Sequence, residues 1–104
     1  MVTTVSAESV RTAMEPRRLQ ILELIWDCEL GVNEIAAQLP VSVAAVSQHL
    51  GKLRAAGLVS MRAEGRRRIY RATKRDMGVV AVLLRSLWAD RLGALKRLAE
   101  SGEA

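Results

Sequence analysis

The residues that could carry out chemistry in this chain are few. One histidine, His49, and one cysteine, Cys28, occur among 104 residues. Zinc needs three or four nitrogen, sulfur or oxygen ligands in close array, and no such set can be assembled, so Cys28 is interpreted as a small apolar filler. His49 has no nucleophile partner, because Ser47 lies about 200° away around the same predicted helix. The sequence therefore predicts no enzyme, no bound metal and no other cofactor.

Positive charge is concentrated in the middle third of the chain. The whole chain has 16 basic and 11 acidic residues and a net charge of +5. Residues 41–75 alone hold nine basic residues and one acid. This asymmetry is typical of a face that binds a polyanion. A solvated Arg-rich surface is the alternative, and charge alone does not decide between them.

Length and composition indicate one small globular domain, since 104 residues are 50% apolar. So small a domain is marginal alone, which makes oligomerisation a reasonable expectation. The longest apolar run, residues 79–84, is far shorter than the ~20 residues that span a bilayer. Residues 1–10 show no signal-peptide pattern. With a single cysteine, a reducing cytoplasm is the expected compartment, without membrane contact.

Two short helices joined by a turn are predicted in this basic region. Asn33 is placed to cap the first helix, which stops at Pro40. Ser42 is placed to cap the second, over residues 43–56, and Gly57 suits a left-handed C-terminal cap. Three apolar residues of this second helix share one face: Val46, Leu50 and Leu53. The Leu-Pro-Val-Ser connection has the length that a helix-turn-helix needs.

Further helices and a hairpin flank this pair. Ser6 is placed to cap a helix over residues 6–14, and Pro16 to begin another, whose apolar stripe extends to Trp26. Alternating residues predict two strands joined by a turn: 58–62 and 67–71. Thr73 is placed to cap a long last helix, residues 74–100, whose apolar stripe is too wide for so small a body to cover. A second copy of the chain is the simplest partner.

These elements form a winged helix-turn-helix, all-α with a small β-hairpin and about five helices. Three stretches resemble the ArsR family of bacterial repressors: residues 15–22, 46–59 and 65–70. The resemblance extends over about residues 10 to 100. It implies double-stranded DNA and a second subunit as partners. One domain, 1–104, then contains the helix-turn-helix (33–57), the wing (58–72) and the dimerisation helix (74–100).

The resemblance also bears on metal sensing. The thiolate site of many relatives would place two cysteines within residues 29–34, where this chain has Gly31 and Asn33. The chain is in this respect similar to a branch that does not sense metals. Release from DNA would then depend on an unidentified small-molecule or protein effector.

The outward side of the second helix is expected to meet DNA. Gln48 is the candidate base reader, because its amide can pair with adenine, whereas Ser47 and Lys52 suit phosphates. For His49 the resemblance implies a position near DNA, and its place on the helix favours a half-buried side chain bonded to a backbone carbonyl. The candidate DNA-contacting residues are Ser42, Ala44, Ala45, Ser47, Gln48, His49, Lys52, Arg54, Arg66, Arg67 and Arg68.

The last helix, with residues 6–14, is expected to form the dimer. The candidate interface residues are Val10, Met14, Val80, Leu84, Leu87, Trp88 and Leu95. The predicted function is sequence-specific repression by a homodimer on a near-palindromic operator. Two alternatives stay open. One is a nucleoid-type protein that reads DNA shape with low specificity, and the other is a winged-helix adaptor for an acidic protein.

Overall fold

The computed structural model describes residues 7–101, with side chains for 7–75 and 77–90. Within that range the winged helix-turn-helix is confirmed. Its elements are α1 (Ala7–Met14), α2 (Pro16–Leu24), β1 (Leu30–Gly31), α3 (Val32–Ala37), α4 (Val43–Ala55), β2 (Val59–Glu64), β3 (Arg67–Ala72), α5 (Lys74–Met77) and α6 (Val79–Ser101). Ser6, the predicted cap of α1, lies outside the described residues.

A break between α1 and α2 falls at Glu15, as predicted. The Glu15 carboxylate accepts a hydrogen bond of 2.9 Å from the backbone N–H of Arg18 and so caps α2. Pro16 follows at the first helical position, where its missing N–H costs nothing. The helix ends at Leu24, earlier than its apolar stripe suggests, and Trp26 is buried from the following turn.

The helix-turn-helix consists of α3 and α4, and one of its predicted caps is wrong. Gly31, not Asn33, precedes the first turn of α3, and its backbone N–H donates to Glu34 Oε1 at 2.8 Å. The pairing of β1 keeps the chain extended up to Gly31, so the helix begins before Asn33 can cap it. At α4 both predictions are confirmed. Ser42 Oγ accepts the Ala45 N–H at 3.1 Å, and Gly57 takes a φ of +77° after the last turn.

The hairpin is longer than the sequence suggested, and a third strand joins it. Strands β2 and β3 pair antiparallel from Val59 opposite Ala72 to Glu64 opposite Arg67. A tight turn connects them, in which Gly65 has a φ of +62° that favours glycine. The two-residue β1 pairs with the other edge of β3. Two residues are too short to show strand periodicity, so β1 has no signal in the sequence.

The predicted last helix is divided in two by the structure. Gly78, with a φ of +53° and a ψ of −122°, interrupts it between α5 and α6. The Thr73 side chain does not cap α5, because its hydroxyl donates instead to the carbonyl oxygen of Gly57 at 2.7 Å. The base of the wing is thereby joined to the end of α4.

The hydrophobic core lies between these helices and the inner side of the sheet. Its fully buried members include Ile21, Leu22, Ile35, Val46, Leu50, Leu53, Val80 and Leu84. Val80 and Leu84 were expected at a dimer interface, and that expectation is wrong. Both are 0% exposed within a single subunit. They lie four residues apart on the side of α6 that packs on its own domain.

Candidate nucleic-acid interface

The recognition helix α4 separates a buried side from an exposed one. Ser42, Ala44, Ser47, Gln48, Lys52 and Arg54 are exposed, whereas Ala45 is half-buried. Gln48 lies almost opposite the buried stripe, and its amide has no hydrogen-bond partner among the described residues. Most of its neighbours on the exposed side are small, such as Ala44 and Gly51. A narrow projecting amide on a slim helix suits the floor of a major groove.

His49 is half-buried between α4 and the start of α2. Its side chain is 23% exposed, with Nδ1 3.9 Å from Glu15 Oε2 and 3.4 Å from Nη1 of Arg18. The imidazole of His49 therefore contacts the side chains of Glu15 and Arg18, not the backbone carbonyl that the sequence favoured. Burial lowers the pKa of His49, and the nearby cations Arg18, Lys52 and Arg17 add to the shift against the opposing effect of Glu15. Neutral His49 can accept a hydrogen bond from Arg18 at Nδ1.

The three wing arginines have different surroundings, although all are exposed. The guanidinium of Arg67 forms an ion pair with Glu34 of α3. Arg66 and Arg68 have no ion pair or hydrogen bond to any described residue. These two side chains are therefore available to phosphates without first releasing a carboxylate.

A second ion pair connects the wing to the segment before β1. Arg62 Nε lies 3.0 Å from Glu29 Oε2 and Arg62 Nη2 lies 3.2 Å from Glu29 Oε1, which is a two-pronged contact. Arg62 Nη1 also donates to Glu64 at 2.8 Å. The hydrogen bond from Arg62 lowers the pKa of Glu29. Sequence reasoning missed both Glu29 and Glu34, because each lies 33 residues from its partner and no local spacing rule relates them.

The side of α6 that faces away from the core includes four exposed apolar residues beside the exposed Ser86 and Asp90. Val79, Val82, Leu83 and Leu87 are between 41% and 59% exposed. We call these four residues the outer face of α6. Of the other predicted interface residues, Val10 and Met14 are half-buried against the core. Trp88 packs edge-to-face on Trp26, with ring centroids 4.9 Å apart, and Leu95 lies outside the described side chains.

The described side chains hold no cluster of three or more His, Cys, Asp or Glu that could bind a metal ion. Cys28 is exposed, so its interpretation as a small apolar filler is wrong, and its thiol donates to the carbonyl oxygen of Leu24 at 3.1 Å. Among the described residues, no helix is long and apolar enough to cross a membrane.

A helix-turn-helix with an exposed polar recognition helix and a basic two-stranded wing defines a winged helix-turn-helix DNA-binding domain. Comparison with known proteins agrees with this class. Residues 15–61 match the family model for the bacterial regulatory proteins of the arsR family.

The transcriptional activator HlyU of Vibrio cholerae is 40% identical over 71% of this chain and 68% of its own length. An uncharacterized HTH-type transcriptional regulator of Mycobacterium tuberculosis is 32% identical over 94% of this chain and 90% of its own. Among solved structures, the homodimeric winged helix-turn-helix DNA-binding domain from Mycobacterium bovis superposes with a TM-score of 0.70. The two sequences are 31% identical, and the match covers 83% of this chain and 80% of the Mycobacterium bovis chain.

The chain belongs to the arsR family of bacterial regulatory proteins. It is a DNA-binding transcriptional regulator and not an enzyme, as the sequence predicted.

Proposed function

We propose that two copies of this chain form a repressor that binds a near-palindromic operator and does not respond to metal ions. The observation that carries this proposal is Gln48, an exposed amide without a partner among the described residues, centred on the outward side of α4. Two such helices in a symmetric dimer would enter successive major grooves. A compact dimer bound at an operator can repress by occupying the DNA that the polymerase needs.

Within this proposal the candidate residues have distinct roles. Gln48 reads a base edge, and Ser47, Lys52 and Arg54 approach phosphates from the exposed side of α4. The hydroxyl oxygen of Ser42 accepts the hydrogen bond of the Ala45 N–H, so Ser42 positions the start of α4. Ala44 and Ala45 allow close approach to the groove. From the wing, Arg66 and Arg68 supply further phosphate contacts.

The dimer in this proposal forms through the outer face of α6. Val79, Val82, Leu83 and Leu87 are exposed apolar residues on a helix whose other side is already buried. Val10 and Met14 of α1 and Leu95 of α6 remain proposed contributors. The homodimeric state of the similar domain from Mycobacterium bovis supports a dimer.

One observation favours low-specificity binding as a second candidate function. The exposed side of α4 includes Ala44, Gly51 and Ala55, which offer no hydrogen-bonding side chain to a base. A protein with so few readers would discriminate largely through the shape and deformability of DNA.

Footprinting and titration of the purified protein on the DNA upstream of its own gene would test the proposal. We expect a symmetric protected site, bound about 10³-fold or more tightly than random DNA of equal length. Equal affinity for both DNAs would favour shape reading. Absence of salt-dependent DNA binding would favour an adaptor for an acidic protein.

A further inference from the structure

The segment of residues 29–34 meets the wing through two carboxylate–guanidinium contacts. Glu29 binds Arg62 of β2 with two hydrogen bonds, of 3.0 and 3.2 Å. Glu34 of α3 binds Arg67 of β3. The two acids lie on either side of β1, which itself pairs with β3. Both strands of the wing are therefore connected to the segment that begins the helix-turn-helix.

A single oxygen atom of Glu34 accepts two hydrogen bonds. Glu34 Oε1 accepts both the Gly31 backbone N–H, at 2.8 Å, and the guanidinium of Arg67. Gly31 is buried, and a Cβ atom there would lie 3.2 Å from Arg67 Nη2 and 3.2 Å from Glu34 Oε1. Because glycine has no Cβ atom, Gly31 leaves enough space for the Glu34 carboxylate to bind both the start of α3 and Arg67 of the wing.

We propose that Glu29 and Glu34 are positioning residues that hold the wing in its DNA-binding orientation, and that Arg62 and Arg67 serve these contacts rather than phosphates. This inference rests on the proposed function, because it presumes that the wing touches DNA. It assigns the phosphate contacts of the wing tip to Arg66 and Arg68 alone.

The wing needs such contacts because its tip extends beyond the core. Residues 62–68 are all exposed, and burial within the hairpin resumes only at Ile69. A two-stranded hairpin is marginally stable by itself in water. An exposed ion pair contributes little when its side chains must be ordered for that contact alone. Here the two-pronged Arg62–Glu29 geometry and the shared Glu34 oxygen reduce that cost.

The sign of a substitution effect separates a positioning role from simple electrostatics. An acid near a DNA-binding surface repels phosphate, so removing its charge should tighten binding to all DNA. If Glu29 and Glu34 hold the wing, removing either charge weakens operator binding instead.

The experiment compares Glu29→Gln and Glu34→Gln with Glu8→Gln in the full-length dimer. In Glu34→Gln the amide oxygen of the new side chain can still accept the Gly31 N–H, so that variant loses mainly the ion pair. Glu8 is an exposed α1 acid with no ion pair to another described residue. We expect operator affinity to fall about 3–5-fold in the first two variants, and to stay equal or rise slightly in Glu8→Gln. Tighter binding of Glu29→Gln and Glu34→Gln to operator and random DNA alike would overturn the proposal.

The salt dependence of binding shows which arginines of the wing contact phosphate. Arg68→Gln should lower the slope of log affinity against log salt by about 1 per subunit. Arg67→Gln should change that slope no more than Glu34→Gln does, because both variants lose the same ion pair. A loss of slope in Arg67→Gln that Glu34→Gln does not show would place Arg67 on phosphate and refute its assignment to Glu34.

Hydrogen exchange in the absence of DNA separates this inference from the proposed function. Glu29→Gln should accelerate exchange of the β2 and β3 amides, and adding it to Arg62→Gln should accelerate exchange no further, because Arg62→Gln already removes the contact with Glu29. Unchanged exchange would refute the contact as a support of the wing. If Arg66→Gln and Arg68→Gln both leave the salt slope unchanged, the wing does not touch DNA, and the proposed DNA-binding role of these residues fails with it.

Discussion

The recognition helix α4 and the terminal helix α6 share the same inner construction and differ on their outer sides. Each buries a stripe of apolar side chains at 0% exposure, such as Leu50 in α4 and Leu84 in α6. The exposed side of α4 is small and polar around Gln48, whereas the outer face of α6 includes Leu83 and Leu87. The inner stripes fold the domain. In the proposed function the outer sides meet different partners, a polar nucleic acid at α4 and an apolar surface at α6.

Salt should separate the two surfaces most strongly. We expect operator affinity to fall roughly 10³–10⁵-fold between 50 and 200 mM salt, because a dimer can neutralise about 6–10 phosphates and release their counterions. Dimer dissociation should barely change over the same range, since burial of the outer face of α6 is apolar. Titrations of DNA binding and sedimentation at matched salt concentrations measure both. If the dimer dissociation constant changed with salt as strongly as the DNA affinity does, the two surfaces would not differ in chemistry as proposed.

Adjacent leucines of α6 should respond differently to substitution. Leu83→Glu places a charge on the outer face, where an unpaired charge in a dimer seam costs several kcal/mol, so we expect folded monomers that bind the operator poorly. Leu84→Ala removes a core side chain and should cost about 2–5 kcal/mol of unfolding free energy, with the dimer retained. Sedimentation and circular dichroism distinguish these results. A wild-type monomer at micromolar concentration would contradict the assignment of the outer face.

Gln48→Ala tests whether the polar side of α4 reads sequence. If the amide contacts a base edge, its loss should cost about 1–3 kcal/mol on the operator and little on random DNA. Gln20→Ala is the matched control, because Gln20 lies on α2, where its amide accepts a hydrogen bond from Arg17 instead. Equal losses on operator and random DNA would assign Gln48 to the backbone and favour shape reading.

The contact between α4 and α2 at His49 should make stability depend weakly on pH. The pKa of His49 is lowered from 6.5 by burial, so the unfolded chain binds this proton more tightly than the folded protein. The free energy of unfolding should therefore fall as the pH decreases through about 6.5. Glu15, whose pKa is lowered from 4.5, contributes only at more acidic pH. Urea titrations at pH 7.5 and 5.5 should show this loss in wild type and a smaller one in His49→Gln. The same loss in both would exclude His49 as its source.

Metal ions should have the smallest effect of all. Cys28 and His49 are the only thiol and imidazole in the chain, and they lie in separate parts of the domain, beside Leu24 and beside Glu15. We therefore expect less than a twofold change in operator affinity on adding zinc, cadmium, arsenite or EDTA. Stoichiometric uptake of a metal together with a tenfold shift in affinity would overturn the proposal that the protein does not sense metals.

Much of the helix-turn-helix could be predicted because its signals are local. Pro16 begins α2, Ser42 caps α4 and Gly57 ends it through preferences that act within a few residues of each helix end. The alternation that predicts the wing is local too. The two predicted helix caps that failed, Asn33 and Thr73, have distant causes. Pairing of β1 with β3 places the start of α3 before Asn33. The hydroxyl of Thr73 donates its hydrogen bond to the carbonyl oxygen of Gly57, so it does not cap α5.

The sequence by itself determined the helix-turn-helix, the two strands of the wing and the basic character of that wing, because helix caps, periodicity and charge are properties of neighbouring residues. Only the tertiary structure decided which side of α6 is buried, since apolar residues surround most of that helix and periodicity does not say which of them face the core. It also decided that Arg67 pairs with Glu34, while Arg66 and Arg68 have no ion pair to any described residue. Three consecutive arginines are chemically alike, and the fold distinguishes them by bringing one carboxylate, 33 residues away, beside Arg67.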